Sequence, residues 1–98
     1  MNDYMILMHD DGTSPAPAGS WEAYFSALRE SGVFQGGSAI GEGIVLRNGR
    51  PPGAVAAHLT GYVRITAESL SAAQVWVARN PVYLSGGTVE VRHLPRDE

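Results

Sequence analysis

Two stretches of the chain carry the same succession of signals, and this repetition limits the possible folds more than any single residue does. Each stretch is an apolar strand, then an amphipathic helix bearing a tryptophan, then a Gly-Gly pair opening a further strand. The first begins at Tyr4–Met8, a continuous apolar run closed by His9-Asp10-Asp11-Gly12. A short run without alternation reads as a central strand covered on both faces. Asp10 to Gly19 collects Asp, Gly, Thr, Ser and two prolines and reads as a loop. Ser20 stands where a helix cap is expected. Trp21, Tyr24, Phe25 and Leu28 follow at i, i+3, i+4 and i+7, and Gly32 supplies the stop. Gly36-Gly37-Ser38 then opens a weaker strand reaching about Leu46, in which Gly41 and Gly43 suggest a bulge or an edge.

Asn48-Gly49-Arg50-Pro51-Pro52-Gly53 has the turn chemistry of a hairpin link into the second stretch. His58 to Ile65 alternates without a break. Ser69 caps a second helix whose buried stripe is Leu70, Ala73 and Val77 with Trp76 beside them, and Asn80-Pro81 stops it. Gly86-Gly87-Thr88 leads into a last alternating strand, Val89–Leu94. The order strand, helix, strand, strand, helix, strand is the split βαβ or ferredoxin-like pattern. It implies a single α+β domain over residues 1–98, with two helices on one face of a four-stranded antiparallel sheet. In its usual strand order the first strand lies between the third and the fourth, with the second at the far edge.

Two helices cover only one face of such a sheet. Alternation assigns Leu59, Gly61, Val63, Ile65, Val89 and Val91 to the helix side, and His58, Thr60, Tyr62, Arg64, Glu90 and Arg92 to the other. Either that second face is solvated, with Arg64 and Glu90 as a cross-strand ion pair, or two sheets face each other in a homodimer and enclose a polar cavity. Strand direction also places the end of the first strand, His9 and Asp10, near His58, Thr88 and Glu90. The loop Asp11 to Gly19 leaves this rim as a possible lid. His9, Asp10 and His58 are therefore the candidate catalytic residues. A histidine with a positioned carboxylate suits acid–base chemistry; two histidines with an aspartate also match a divalent-metal set, and strand-end histidines that satisfy backbone groups are the structural alternative. His93 reads as surface, Trp21 and Trp76 as core or dimer packing, and Arg96-Asp97-Glu98 as a solvated tail.

Composition narrows the chemistry. There is no lysine and no cysteine, which excludes Schiff-base lysine, thiol nucleophiles, disulfides and thiolate metal sites. Every positive charge on the polar face is arginine, suited to orienting an anion and poor at exchanging protons. A net charge of −3 argues against a nucleic-acid partner, and the sequence contains neither a P-loop nor a nucleophile elbow. No apolar run approaches a membrane span and the start lacks a basic signal segment, so a cytoplasmic location is expected. Frequent alanine, glycine and arginine without lysine suggest a GC-rich bacterial source. A small glycine-rich domain recovers stability by oligomerising, which again points to a dimer.

In order and spacing the chain resembles the YCII-related, or DGPF-domain, family of small bacterial proteins. Tyr4-Met5-Ile6-Leu7-Met8 is similar to its first strand, Trp21 through Leu28 to Gly32 to its first helix, and Gly36-Gly37 to the start of its second strand. Leu59-Thr60-Gly61-Tyr62 resembles the start of its third strand, and Ser69-Leu70, Ala73 and Trp76 its second helix. Val89-Glu90-Val91-Arg92-His93-Leu94 is similar to its closing Val-Glu-Val-Arg-Pro-Leu and is the most specific segment. The resemblance implies a dimeric α+β barrel, a cavity with a histidine–aspartate arrangement, and a regulatory association with sigma factors. The Asp-Gly-Pro-Phe motif itself is absent. Arg50-Pro51-Pro52-Gly53-Ala54-Val55-Ala56-Ala57 stands in its place, leaving His58 as the candidate for that position's polar role. The expected function is binding of a small anionic or phenolic molecule without a cofactor, with His9 and Asp10 or His58 moving protons. Tyr62, Arg64, Glu90 and Arg92 are the expected ligand-binding residues. The alternative is a non-catalytic ligand-sensing or regulatory module that associates with a transcription regulator.

Overall fold

The computed structural model describes residues 1–96. Its strands are β1 (Asn2–His9), β2 (Phe34–Ala39), β3 (Leu59–Ala67) and β4 (Val89–Leu94). Its helices are α1 (Ser20–Glu30), α2 (Leu70–Ala78) and a short α3 (Pro81–Leu84). The strands form one antiparallel sheet in the order β2-β3-β1-β4, as the repeated pattern implies. The result is a flat two-layer body, 47 × 41 × 19 Å.

The core lies between the helices and one face of the sheet. Tyr4, Ile6 and Met8 of β1 alternate into it, as do Val63, Ile65 and Ala67 of β3. Tyr24 and Leu28 of α1 and Ala73 and Trp76 of α2 meet them. The Tyr24 hydroxyl donates to the Trp76 carbonyl at 2.9 Å and so ties the two helices together. On the other face of β1, Met5, Leu7 and His9 are only half-buried, so in a single chain the central strand is covered on one side rather than on both.

Several local expectations are corrected. The helix side loses strict alternation at the start of β3, because a bulge pairs Met8 with Gly61 but His9 with Leu59 and leaves Thr60 unpartnered. A one-residue slip reverses facing; thus Leu59 joins His9's row while Thr60 borders the helix-side cleft beside Gly61. β2 ends at Ala39, well short of Leu46. The Asn48–Gly53 turn does form, but as a detached hairpin in which Val45 and Gly53 exchange both backbone hydrogen bonds. In α2, Leu70 is exposed, and the stripe is Ala73 and Trp76 with Ala72 and Val77 beside them. Asn80-Pro81 ends α2 but also opens α3: the Asn80 side chain accepts from Val82 N at 2.9 Å, and Pro81 takes the first helical position. Of the expected solvated tail, Arg96 instead donates to Asp3 at 3.0 Å, while Asp97 and Glu98 lie outside the described residues.

The two expected serine caps also differ. Ser69 caps α2, accepting from Ala72 N at 3.1 Å. At α1 the cap position is Gly19, at φ 79°, and the Ser20 hydroxyl is buried without a hydrogen-bond partner. Ser69→Ala is therefore expected to cost about 1 kcal/mol. Ser20→Ala removes an unsatisfied buried hydroxyl and is expected to be neutral or stabilising by up to about 1 kcal/mol. Urea unfolding of both variants checks the contrast, and equal losses would contradict it.

Candidate functional site

The rim at the end of β1 is built by backbone pairing. His9 N donates to Thr88 O at 3.0 Å, and Asp10 N to His58 O at 2.6 Å. The chain segments carrying His9, Asp10 and His58 are therefore adjacent. Their side chains are not directed at one another as an acid–base trio. His58 Nδ1 lies 3.1 Å from the Asp10 carbonyl oxygen, so it carries the proton and donates to a backbone acceptor. The Asp10 carboxylate is exposed and makes no hydrogen bond among the described residues. The ordered aspartate is Asp11, whose two oxygens accept from Thr88 N and Thr88 Oγ1, each at 2.7 Å.

The carboxylate beside His9 belongs to Glu90. His9 Nε2 is buried, has no partner within hydrogen-bond distance, and lies 3.6 Å from Glu90 Oε1. The other Glu90 oxygen accepts from Arg92 Nη1 at 3.0 Å. The hydrogen bond from Arg92, with further contributions from the Arg92 charge and from His9, holds the Glu90 carboxyl below the usual carboxylate range. His9, Glu90 and Arg92 thus stand side by side along the edge of the open face, with a hydrogen bond between Arg92 and Glu90 only.

The sheet register completes that face. Glu90, Leu7, Tyr62 and Ser38 share one row across the four strands, and Arg92, Met5 and Arg64 share the next. The four expected ligand-binding residues therefore lie in two adjacent rows around an apolar centre of Met5 and Leu7. The cross-strand pair between Arg64 and Glu90 does not form, because β1 lies between their strands and Glu90 is taken by Arg92. Among the described residues no three His, Asp or Glu side chains gather as a metal set, so His9, Asp10 and His58 lack that geometry.

The loop after β1 is fastened rather than free. Beyond the Asp11 bonds, Thr13 N and Ser14 N both donate to Ser85 O, at 3.1 and 3.3 Å. Gly12 fits here because a Cβ would lie 3.1 Å from that same carbonyl. The bonds from the Thr88 hydroxyl and amide lower the Asp11 pKa. A carboxylate lowered on folding contributes stability above its unfolded pKa and loses it as pH falls through the folded value. The loop anchor is thus expected to weaken in acid, below the ordinary carboxylate range. Asp11→Asn should flatten the acid side of the melting-temperature profile, and an unchanged profile would rule the anchor out.

Behind the rim, on the helix-bearing side, a cleft of about 220 Å3 is bounded by His9, Asp10, Ser14, Trp21, Thr60 and Val82. Trp21, Thr60 and Val82 also border a larger cleft of about 380 Å3 between α1 and the β2–β3 edge. Trp21 is thus partly a cleft wall and not only core packing.

No family model matches the chain, and no curated protein matches its sequence. Among solved structures, 5-chloro-2-hydroxyhydroquinone dehydrochlorinase (TftG) from Burkholderia phenoliruptrix AC1100, in complex with 2,5-dihydroxybenzoquinone, is similar with a TM-score of 0.57. The likeness covers 97% of this chain and 95% of that one, at 15% identity. What the two share is the fold.

Two features of the site were missed from sequence. Glu90 as the partner of His9 was within reach: both side chains fall on the open face, and Glu90 pairs with Leu7, two residues from His9. The larger cleft left no periodic signal, because its floor is defined by small residues on neighbouring strands. No helix among the described residues is long and apolar enough to cross a membrane.

Proposed function

We propose that this chain is a YCII-like bacterial protein of the cytoplasm that dimerises through its open sheet face and binds a small phenolic or anionic molecule there. The observation that carries the reading is His9, whose buried Nε2 has no hydrogen-bond partner and faces a carboxylate kept ionised by Arg92. With Nε2 turned toward that carboxylate, Nδ1 is the ring nitrogen left to take a proton from a bound hydroxyl. Tyr62 and Arg64, in the same two rows, orient the resulting phenolate. His58 and Asp10 shape the rim through their backbone bridge. The phenolic class is supported by TftG, which has the same fold and was solved with a hydroxylated quinone.

The test is thermal shift and isothermal titration with 2,5-dihydroxybenzoquinone and with simple hydroquinones and carboxylates. Saturable stabilisation is expected, reaching about 2.7 kcal/mol when the ligand stands at a hundred times its Kd. Arg64→Gln should weaken binding roughly tenfold or more. If a hydroquinone is turned over, His9→Gln should slow the reaction by about 10²- to 10⁴-fold while leaving binding largely intact. Binding without turnover removes the proton transfer and favours a sensing module. No stabilisation by any of these compounds overturns the reading.

A further inference from the structure

The larger cleft lies on the opposite side of the sheet from Arg64, Glu90 and Arg92, between α1 and the β2–β3 edge. Its volume, about 380 Å3, falls within the range of small-molecule pockets. Trp21, Phe25 and Phe34 supply aromatic walls. The Trp21 and Phe25 rings are stacked with centroids 5.7 Å apart, and Phe34 meets Phe25 edge-on at the same distance. The space exists because the adjoining strand positions are Gly37, Ala39 and Gly61, where larger side chains would fill it. The backbone enforces this at Gly37, whose Cβ would meet the Tyr62 carbonyl, and Gly61 is already closed in by the Met8 methyl at 3.2 Å.

One charged residue borders this aromatic box. The Arg29 guanidinium lies 5.8 Å from the Phe25 ring centre and 5.4 Å from that of Phe34, and no carboxylate pairs with it among the described residues. Two rings hold the planar cation in place before any ligand arrives, which reduces the ordering cost of using it. An apolar aromatic slot with a single fixed guanidinium at its border is complementary to a flat ring bearing one negative charge.

We infer that this cleft is a second ligand site, taking a planar aromatic monoanion such as an arene carboxylate, with its ring among Trp21, Phe25 and Phe34 and its anionic group on Arg29. Ser38 and Tyr62 border this cleft as well as the open face, but Leu7, Arg64, Glu90 and Arg92 do not, so the anion-binding group here, Arg29, is separate from those of the open face.

The tryptophans provide the assay: Trp21 lines the cleft, while Trp76 is buried in the core beside Tyr24. The full chain labelled with 5-fluorotryptophan gives two fluorine resonances, assigned with Trp21→Phe. Titrated 1-naphthoate should move the Trp21 resonance saturably and leave the Trp76 resonance in place. Arg29→Gln should weaken binding roughly tenfold or more, and neutral 1-naphthalenemethanol should bind wild type more weakly by a similar factor. Ala39→Leu, which fills the floor from an exposed position, should abolish the shift. Arg92→Gln, on the opposite face, should bind as wild type does. The proposal is overturned if no saturable Trp21 shift appears up to the solubility limit, or if Arg29→Gln binds like wild type. It is equally overturned if Arg92→Gln loses the naphthoate, which would place the anion on the open face instead.

Discussion

Replacing Asn80 with alanine is expected to destabilise the domain by about 2–3 kcal/mol and to lower its melting temperature by roughly 10–20 °C. Asn80 is fully buried, although asparagine is a residue that usually stays exposed. Its side chain is used at both ends: Oδ1 accepts from Val82 N at 2.9 Å, and Nδ2 donates to Met8 Sδ at 3.3 Å. Pro81 has no N–H, so Val82 carries the first amide of α3, and alanine at position 80 would leave that amide without its capping acceptor. The loss would extend to the rim. α3 delivers Ser85, which holds the loop amides of Thr13 and Ser14, and then Gly87, where a Cβ would lie 2.6 Å from Val82 Cγ1 and 3.0 Å from the Val82 carbonyl. Faster amide exchange at Thr13 and Thr88 should accompany the fall in stability. Asn80→Ser keeps a short acceptor and should recover about half of the loss. A change below about 0.5 kcal/mol in the alanine variant would show that the cap contributes nothing.

The same segment shows where sequence reasoning reaches its limit. Asn-Pro is read correctly as the end of α2, yet a four-residue helix has no period to detect, so α3 and the buried role of Asn80 become visible only in three dimensions. Beyond the bulge at the start of β3, the alternation of β3 and β4 defines the open face whatever the neighbours, and Tyr62, Arg64, Glu90 and Arg92 lie together there. Pairings within that face depend on register and on a bulge, which alternation does not encode. For that reason alternation alone suggests Arg64 with Glu90 across an intervening strand, and His9 with Asp10 or His58, whereas the fold sets His9 beside Glu90. Residues 40–58 have neither period, so the sequence offers no signal to stop the strand that Gly36-Gly37-Ser38 opens before about Leu46; in the fold Ile44 and Leu46 are exposed. The spacing of the aromatic residues of α1 predicts one buried stripe. Only Tyr24 and Leu28 are fully enclosed, because the glycines of β2 and β3 leave Trp21 and Phe25 facing a gap.

Leu7→Asp is expected to convert the proposed dimer into a monomer at micromolar concentration while the fold persists. Leu7 and Met5 form the apolar centre of the open face, flanked by Glu90 and Tyr62 in one row and by Arg92 and Arg64 in the next. Neither belongs to the buried core, so the substitution should leave the far-ultraviolet circular dichroism unchanged and cost the single chain little. In a two-fold assembly of facing sheets, the same central position comes from both copies. A carboxylate there loses the apolar contact, about 1.5–3 kcal/mol for a leucine, and sets two like charges against each other in a desolvated centre, which costs several kcal/mol more. Together these weaken association by roughly 10³-fold or more. Arg92→Gln acts at the rim and should change the salt dependence more than the dimer population. Leu46→Asp tests the other exposed apolar candidate, the arm that presents Ile44 and Leu46, and should leave the dimer intact. Sedimentation or light scattering distinguishes the outcomes. A monomeric wild type would remove the facing-sheet assembly and leave His9 and Glu90 on an open surface. A dimer lost through Leu46→Asp but not through Leu7→Asp would move the interface to the arm and leave the polar face free to bind its ligand alone.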